Sequence, residues 1–302
     1  MLSDVFYWLL SMTLSATIMG TIVLLLGRIR RFPRNILCIL WLIPLVRMWV
    51  PMGVSSKYSL MALIRRFTTV SVPVYTGKVQ MTMTNIVMWA DGYFPISYKY
   101  WQLQRIIQIA SIVWLTVAAG LLILLAAMYM IANRQFRSAK HLKDNVYTSD
   151  EVRSALVCGV INSRIVIPSS YTQTDIKYVL LHENVHIRRK DNLWRFVAMC
   201  TACVHWFNPA TWLFLKSFFA QMELACDEAV VKSCSAEERR EYATALLNSA
   251  NNRNLLSSAF GGANLKIRLV QILSYKKLSI LAMTASVLLA VFLGYVLLTN
   301  AK

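Results

Sequence analysis

Long apolar stretches dominate this chain and identify it as a membrane protein. Four of them come close to or exceed the roughly 20 residues that a helix needs to cross a hydrocarbon core of about 30 Å; they occupy residues 5–27, 36–54, 106–132 and 278–299. The mean hydropathy is +0.50 and only 15% of the residues are charged, against roughly 25% in soluble domains. We therefore expect a mainly α-helical membrane protein with four transmembrane helices.

Two of these stretches have features that bear on whether they are transmembrane spans. The stretch 36–54 is the weakest because it contains Arg47, although a long side chain near the end of a span can reach the lipid headgroups. The stretch 5–27 differs from a cleavable signal peptide, because no basic residue precedes it and its apolar run exceeds the usual 7–15 residues. We interpret both as spans.

The distribution of basic residues predicts the orientation. The link 28–34 holds four arginines and no acid, so the positive-inside rule places it in the cytoplasm. The chain then divides into a membrane region at 1–132 with an extracellular loop at 55–104, a cytosolic domain at 133–277, and a last span with a short extracellular tail at 278–302. Both termini are expected outside the cell.

Net charge and cysteine content exclude two further classes of protein. The net charge of +18 agrees with membrane topology and attraction to anionic lipid, and without a basic stripe interleaved with aromatics we expect no direct nucleic-acid binding. The loop 55–104 contains no cysteine, so a disulfide framework is not expected. Cys200-x-x-Cys203 has no second pair to complete a zinc set, which favours packing over a metal or redox role.

The cytosolic domain is predicted to be α+β. Residues 144–172 are rich in Val, Ile, Thr and Tyr and predict two or three short strands that end at Pro168. A helix should begin near Thr172 or Thr174, with Asp175 in its first turn, and continue through KYVLLHENVHIRRK.

That helix carries the sequence HENVH. Residues four apart share one helical face, so His182 and His186 can bind one ion at about 2.0–2.1 Å from each nitrogen. Glu183 is adjacent and can reach the attacking water without being a ligand. HExxH is a zinc-peptidase signature; the alternative is a pair of histidines on a solvated helical face.

A third ligand is expected on a later helix. In MELACDE, Glu223 and Asp227 lie one turn apart in an apolar helical pattern, where charge is costly unless paired or coordinated. We predict that Glu223 binds the metal and that Asp227 accepts the other N–H of a ligand histidine. Glu228 is an alternative for either role. His205 is an alternative ligand, although its position before Asn208-Pro209 favours a helix end.

Four segments taken together resemble a known family. HENVHIRRKDNLWR, HWFNPATWLFL, QMELACDEAVV and FGGANLKIRLVQIL, followed by a last apolar span, are similar to the membrane-embedded zinc metallopeptidases of the BlaR/MecR type, the antirepressor sensor-transducers of bacterial β-lactam resistance. The resemblance covers essentially 1–300. It implies a protein of the bacterial cell membrane with a gluzincin-like cytosolic domain. In that domain Zn²⁺ would be bound by His182, His186 and Glu223, and Glu183 would be the catalytic base.

The resemblance also implies partners and one departure. The substrate would be a cytosolic transcriptional repressor of the BlaI/MecI kind, with membrane lipid and a second copy of the chain as further partners. Relatives that sense β-lactams carry an extracellular penicillin-binding domain after the fourth span, whereas this sequence ends at Lys302. We expect the chain either to lack that sensor domain or to be a truncated form.

The expected reaction is metal-assisted peptide hydrolysis, with an extended substrate along the edge of the strand around Arg164–Ile167. Asn and Gly residues predict an irregular loop at 251–266, either a connector or, as in the resembled family, a site of self-cleavage near Ser258, Ala259 and Phe260. Two alternative functions stay open: a quality-control or prenyl-protein peptidase, which also pairs HExxH with ExxxD, and a non-catalytic signalling or scaffold protein with structural zinc, which would not need Glu183.

Overall fold

The computed structural model describes residues 1–29, 32–50, 55–59, 70–76, 79–85, 101–135, 139–152, 154–160, 163–251 and 264–301. Its helices are α1 (Leu2–Leu26), α2 (Arg34–Leu40), α3 (Leu42–Trp49), α4 (Trp101–Gln135), α5 (Gln173–Arg189), α6 (Asp191–Val204), α7 (Pro209–Val231), α8 (Ala236–Asn251), α9 (Leu265–Leu273) and α10 (Ile280–Leu298). Its strands are β1 (Ser55–Ser56), β2 (Val70–Thr76), β3 (Val79–Asn85), β4 (Lys140–Lys143), β5 (Val146–Ser149), β6 (Leu156–Cys158), β7 (Arg164–Pro168) and β8 (Asn300–Ala301). The chain is therefore mostly helical with small sheets.

Three of the described helices are long and apolar enough to cross a membrane. They are α1, the part of α4 from Arg105 to Arg134, and α10. Each matches one of the predicted spans at 5–27, 106–132 and 278–299 within a few residues. The chain therefore has the helices of a membrane protein.

The second predicted span, 36–54, is not one long helix. It is covered by α2 and α3, which are separated at Trp41. Pro44 has no N–H group, so the carbonyl of Leu40 lacks its usual helical donor and α2 ends there. Because Trp41 keeps helical dihedral angles, the interruption is a single residue, and Arg34–Trp49 extends over about 24 Å at 1.5 Å per residue. The described residues thus contain three candidate spans, and the four-span layout stays a prediction.

Helix α1 lies at the centre of the helical packing. Ala16, Met19 and Val23 of α1 are fully buried in a core that also contains side chains of α2, α3, α6 and α7. At Gly20 a β-carbon would lie 2.3 Å from the Phe214 ring, so a larger residue would force this ring to move where α1 meets α7. The pair α6 and α7, within the predicted cytosolic domain, therefore packs against the predicted membrane region.

A four-stranded sheet with the order β4-β5-β7-β6 precedes the site. β5 and β7 are parallel, and the other two pairs are antiparallel. Ile165 and Ile167 of β7 are buried against Val179 of α5, so the sheet positions α5. The strands and the end of β7 at Pro168 agree with the prediction.

One expectation about this sheet is wrong. β7, which contains Arg164–Ile167, is hydrogen-bonded to β5 on one side and to β6 on the other. β5 pairs with Ile165–Pro168 and β6 with Arg164–Val166, so β7 is a central strand without a continuous free edge for a substrate peptide. Of the described strands, β6 is the edge strand next to β7.

A short parallel pairing joins two distant parts of the chain. β1 pairs with β8, and the hydroxyl groups of Ser56 and Tyr295 are 2.9 Å apart. The chain after α3 and the chain after α10 therefore lie at the same end of the helical assembly.

Candidate metal centre

Helix α5 is capped and oriented by local interactions. The Thr172 hydroxyl accepts a hydrogen bond from the backbone N–H of Asp175, which satisfies one free donor of the first turn and begins the helix where predicted. Val179 faces the sheet, while Tyr178 and Val185 pack in a core with α7 and α8. This arrangement points His182 and His186, both buried, towards α7.

The three predicted ligands meet at one point. The Nε2 atoms of His182 and His186 are 3.1 Å apart. Glu223 of α7 places Oε2 3.5 Å from His182 Nε2 and Oε1 3.6 Å from His186 Nε2. Ligands about 2.0–2.1 Å from a tetrahedral zinc ion are roughly 3.3 Å from one another. The observed spacings bracket that value, so these residues fit a zinc ion with three protein ligands.

Glu223 is held in its ionised form. Burial opposes the charge, but the charge of Arg268 and then the two histidines and Arg195 keep the pKa of Glu223 well below its usual range. Arg195 Nη2 lies 2.5 Å from Oε1, and Arg268 Nη1 lies 3.0 Å from Oε2. Because each carboxylate oxygen can accept two bonds, both oxygens keep a position for a metal.

Oxygen atoms behind the rings orient both histidines. Asp191 Oδ2 lies 2.7 Å from His186 Nδ1. On His182, Nδ1 lies 2.8 Å from the Tyr242 hydroxyl and 3.3 Å from Asp227 Oδ1. A proton held at Nδ1 leaves the Nε2 lone pair for a metal. Asp227 thus lies beside the ring that it is predicted to orient, and that role stays a prediction.

Arg268 connects these groups. It is buried on α9, and its Nε and Nη2 donate to the two oxygens of Asp227 at 2.7 and 2.8 Å. The same guanidinium approaches His182 Nε2 at 3.4 Å through Nη2. Burial opposes protonation of His182, but hydrogen bonds with Asp227 and Glu223 outweigh it and raise the pKa of His182 to about 9.

Glu183 is partly buried, whereas His182 and His186 on the same helix are buried. Burial, followed by the negative charge of Glu183, raises the pKa of the Cys158 thiol to about 12. The carboxylate of Glu183 therefore lies towards the edge strand β6. Asn192 also reaches this strand, since its Nδ2 donates to the carbonyls of Val157 and Gly159 at 2.9 and 3.1 Å.

The alternative ligands have other partners in the structure. Glu228 Oε2 accepts a hydrogen bond of 2.7 Å from the backbone N–H of Arg34, at the start of α2. His205 ends α6 and contacts the Thr13 hydroxyl through Nδ1. Among the described residues, the clusters able to hold a metal contain neither of them, nor Cys200 or Cys203.

Sequence reasoning missed several residues of this site, among them Arg268, Asp191 and Tyr242. Arg268 had a detectable signal, because a lone arginine in the apolar helix LKIRLVQIL needs a buried partner. Asp191 follows Lys190, whose left-handed conformation (φ 55°) ends α5 and turns the chain back towards His186. Tyr242 had no sequence signal, because its role depends on how α8 packs. The expected self-cleavage residues Ser258, Ala259 and Phe260 lie outside the described residues.

This chain is similar in sequence to known regulatory and resistance proteins. Regulatory protein BlaR1 of Bacillus licheniformis is 29% identical over 158 residues, which are 49% of this chain and 26% of that protein. The methicillin resistance mecR1 protein of Staphylococcus aureus is 27% identical over 112 residues, 36% of this chain and 19% of that protein. Regulatory protein BlaR1 of Staphylococcus aureus is 29% identical over 119 residues, again 36% of this chain and 20% of that protein. The matched segments thus span about a quarter or less of the length of these relatives.

A family match covers far more of the chain. The family described as BlaR1 peptidase M56 matches residues 7–272. This range includes most of α1, all of α2 to α8 with the histidines of α5 and with Glu223 and Asp227 of α7, and Arg268 of α9. The chain therefore belongs to the BlaR1 peptidase M56 family.

Proposed function

We propose that this chain is an integral-membrane zinc metalloendopeptidase that cleaves a cytosolic transcriptional repressor, and itself, in signal-dependent regulation. The observation that carries the proposal is the convergence of His182 Nε2, His186 Nε2 and the Glu223 carboxylate, with Glu183 next to the first ligand on the same helix. The chain belongs to a peptidase family and is similar to regulatory protein BlaR1 and to the methicillin resistance mecR1 protein. Both findings support the regulatory role.

The side chains of the site divide the work of peptide hydrolysis. When bound, zinc would polarise the scissile carbonyl and lower the pKa of the attacking water to about 7. His182, His186 and Glu223 would hold the ion. Glu183 accepts a proton from the attacking water and returns it to the leaving amine. Asp191, Asp227 and Tyr242 keep the histidines in the binding tautomer.

The sheet offers one described edge for the substrate near Glu183. An extended peptide can add to β6, where main-chain hydrogen bonds would supply affinity. Asn192 already donates to the carbonyls of Val157 and Gly159, so an incoming peptide would compete with this amide. We place the substrate along β6 instead of β7.

Self-cleavage is supported by the position of α9. Arg268 lies 3.0 Å from Glu223, so the chain that follows the expected cleavage residues is attached beside the metal ligands. A cut near Ser258-Ala259-Phe260, in the same chain or in a second copy, would release a fragment that contains α10. Purified Glu183→Gln protein should not produce this fragment when incubated with zinc.

The substrate can be identified by mapping new protein N-termini in the host bacterium. Cells that express the wild-type chain are compared with cells that express Glu183→Gln, which retains the ligands and loses the base. A new N-terminus in a DNA-binding repressor, present only with wild type, is the expected result. Cuts confined to membrane proteins would instead favour the quality-control peptidase, and identical N-termini in both strains would favour the non-catalytic scaffold.

A further inference from the structure

A cavity of about 320 Å³ lies between α2, the start of α6, and α7. It is separate from the metal-binding side of the histidines. Asp191 lines the cavity and binds His186 Nδ1 at 2.7 Å, whereas the predicted metal ligand atom of that ring is Nε2. The cavity therefore lies behind His186 and does not belong to the substrate side of the site.

The lining of the cavity changes from polar to apolar along α2. Asn35, Ile39 and Leu42 lie on one face of the α2–α3 segment, and Asn35 and Leu42 are about 10 Å apart along the helix axis. Asn35 and Arg189 form the polar end, next to the link 28–34. Leu42, together with Trp194 and Phe218, forms the apolar end. This polarity matches a molecule with a polar head and an apolar tail.

The polar end is suited to an anion. Arg189 contacts Asn35 Oδ1 at 3.1 Å, Cys38 Sγ at 3.0 Å and Asp191 Oδ1 at 3.3 Å. These contacts use three of the five N–H groups of the guanidinium, one on each nitrogen. Two N–H groups remain, and the planar guanidinium fits phosphate. Arg188 and Lys190 beside it are exposed. Two buried carboxylates lie near this end, Asp191 in the lining and Glu228 at the backbone N–H of Arg34.

The apolar end is open to its surroundings. Ile39, which lines the cavity, is 63% exposed. In the proposed orientation, α2 begins at the cytoplasmic surface and Leu42 lies deeper in the bilayer, so the opening faces the acyl chains of the inner leaflet. A basic cluster at that surface attracts anionic lipid.

We propose that this cavity binds an anionic phospholipid of the cytoplasmic leaflet. Its phosphate lies at Arg189, and part of one acyl chain lies along Leu42, Trp194 and Phe218. The proposal rests on the proposed orientation of the spans and does not require peptidase activity. A cavity of this volume lies at the lower end of the range for small-molecule pockets, which suits one acyl segment better than a whole lipid.

Photo-crosslinking tests this site in the full chain purified in detergent. The probes are phosphatidylglycerol and phosphatidylcholine with the same diazirine-bearing acyl chain, and the labelled peptides are identified by mass spectrometry. We expect phosphatidylglycerol to label the peptides that contain Leu42 and Trp194 at least fivefold more strongly than phosphatidylcholine. Unlabelled glycerol 3-phosphate in equimolar amount should not compete, because it lacks the acyl chain.

Three variants locate the binding. Arg189→Gln should reduce labelling of these peptides at least fivefold, and Leu42→Trp should reduce it by filling the cavity with the charge unchanged. Arg188→Gln removes the same charge one residue away from the lining and should change labelling less than twofold. If phosphatidylglycerol and phosphatidylcholine label the wild-type chain equally, the proposal is overturned. Full labelling in folded Leu42→Trp would also overturn it, because the lipid would then be outside the cavity.

Discussion

Arg268 of α9 donates two hydrogen bonds to the carboxylate of Asp227 on α7, at 2.7 and 2.8 Å, and the exposed fractions of the two side chains are only 2% and 0%. This buried pair joins the segment that leads to α10 to the helix that carries Glu223. The charge of Arg268, followed by its hydrogen bonds and those of His182, outweighs burial and keeps the pKa of Asp227 below its usual range. The pair therefore supports both the packing of α9 and the orientation of His182.

Replacing Arg268 by methionine should strongly destabilise the protein. The substitution leaves Asp227 buried without its cation, and breaking a buried pair in this way costs about 3–5 kcal/mol. The double variant Arg268→Met/Asp227→Asn should lose less stability than the sum of the two single variants, because the uncompensated charge is gone. Melting temperatures in detergent measure both effects; additive losses would contradict the pairing.

Removal of a metal ligand should be distinguishable from removal of the base. His182→Ala, His186→Ala and Glu223→Ala should each lower the zinc content of the purified protein to less than half of the wild-type value. Glu183→Gln should keep full zinc content and lose peptide cleavage, because this residue accepts a proton and is not a ligand.

Glu228→Gln is the matched control for Glu223, since it lies on the same helix but contacts the backbone of Arg34. It should retain zinc. Elemental analysis of each variant provides the measurement. Normal zinc content in Glu223→Ala together with loss in Glu228→Gln would assign the third ligand to Glu228.

The sequence could predict helix α5 and its metal-binding face because both follow from short-range rules. A Thr-x-x-Asp start sets the first turn, and two histidines four apart share a face. The prediction of Glu223 as the third ligand followed from the cost of charge on an apolar helix, a rule that also applies to Arg268. The contacts of Tyr242 with His182 depend on the packing of α8, which no local pattern encodes.

The two discrepancies have different physical origins. Strand order depends on which strands pair, so an apolar strand such as β7 looks the same from its sequence whether it is central or at an edge. The interruption at Trp41 depends on a proline three residues later, and hydropathy alone does not register the missing donor of Pro44.

Asp191 should affect zinc affinity without being a ligand. Asp191→Asn retains the shape of the side chain but weakens the interaction that keeps the proton on His186 Nδ1, and changes of this kind lower metal affinity by roughly 10–100-fold. Asp150→Asn is a suitable control, because Asp150 is exposed beyond β5. Competition with a fluorescent zinc chelator measures the affinities. Equal affinities for the two variants would show that Asp191 has no orienting role.

Zinc affinity should rise with pH. The pKa of His182 is raised from 6.5 to about 9 in the metal-free protein, so below about pH 9 zinc must displace a proton from this ring. Affinity should therefore increase about tenfold per pH unit between pH 6.5 and 9 for this one proton, and become level above that range. A pH-independent zinc affinity across this window would contradict the raised pKa.

The same shift predicts the stability of the metal-free protein. A group whose pKa is higher in the folded state contributes stability that is complete below its unfolded pKa and is lost as the pH rises through the folded value. The metal-free protein should accordingly become less stable between about pH 6.5 and 9. Asp227→Asn removes one of the groups that raise the pKa of His182 and should shift this loss to lower pH.

The orientation of the chain can be tested with inserted tags. Because β1 pairs with β8, the chain after α3 and the chain after α10 lie at the same end of the helices and should be on the same side of the membrane. The positive-inside rule assigns the link 28–34 to the cytoplasm. Tags near Arg31 and after Asn145 should therefore resist protease added to spheroplasts, whereas tags near Lys78 and after Lys302 should be cleaved. Tags after Asn145 and Lys302 that are cleaved together would place the metal centre outside the cell, where it could not reach a cytosolic repressor.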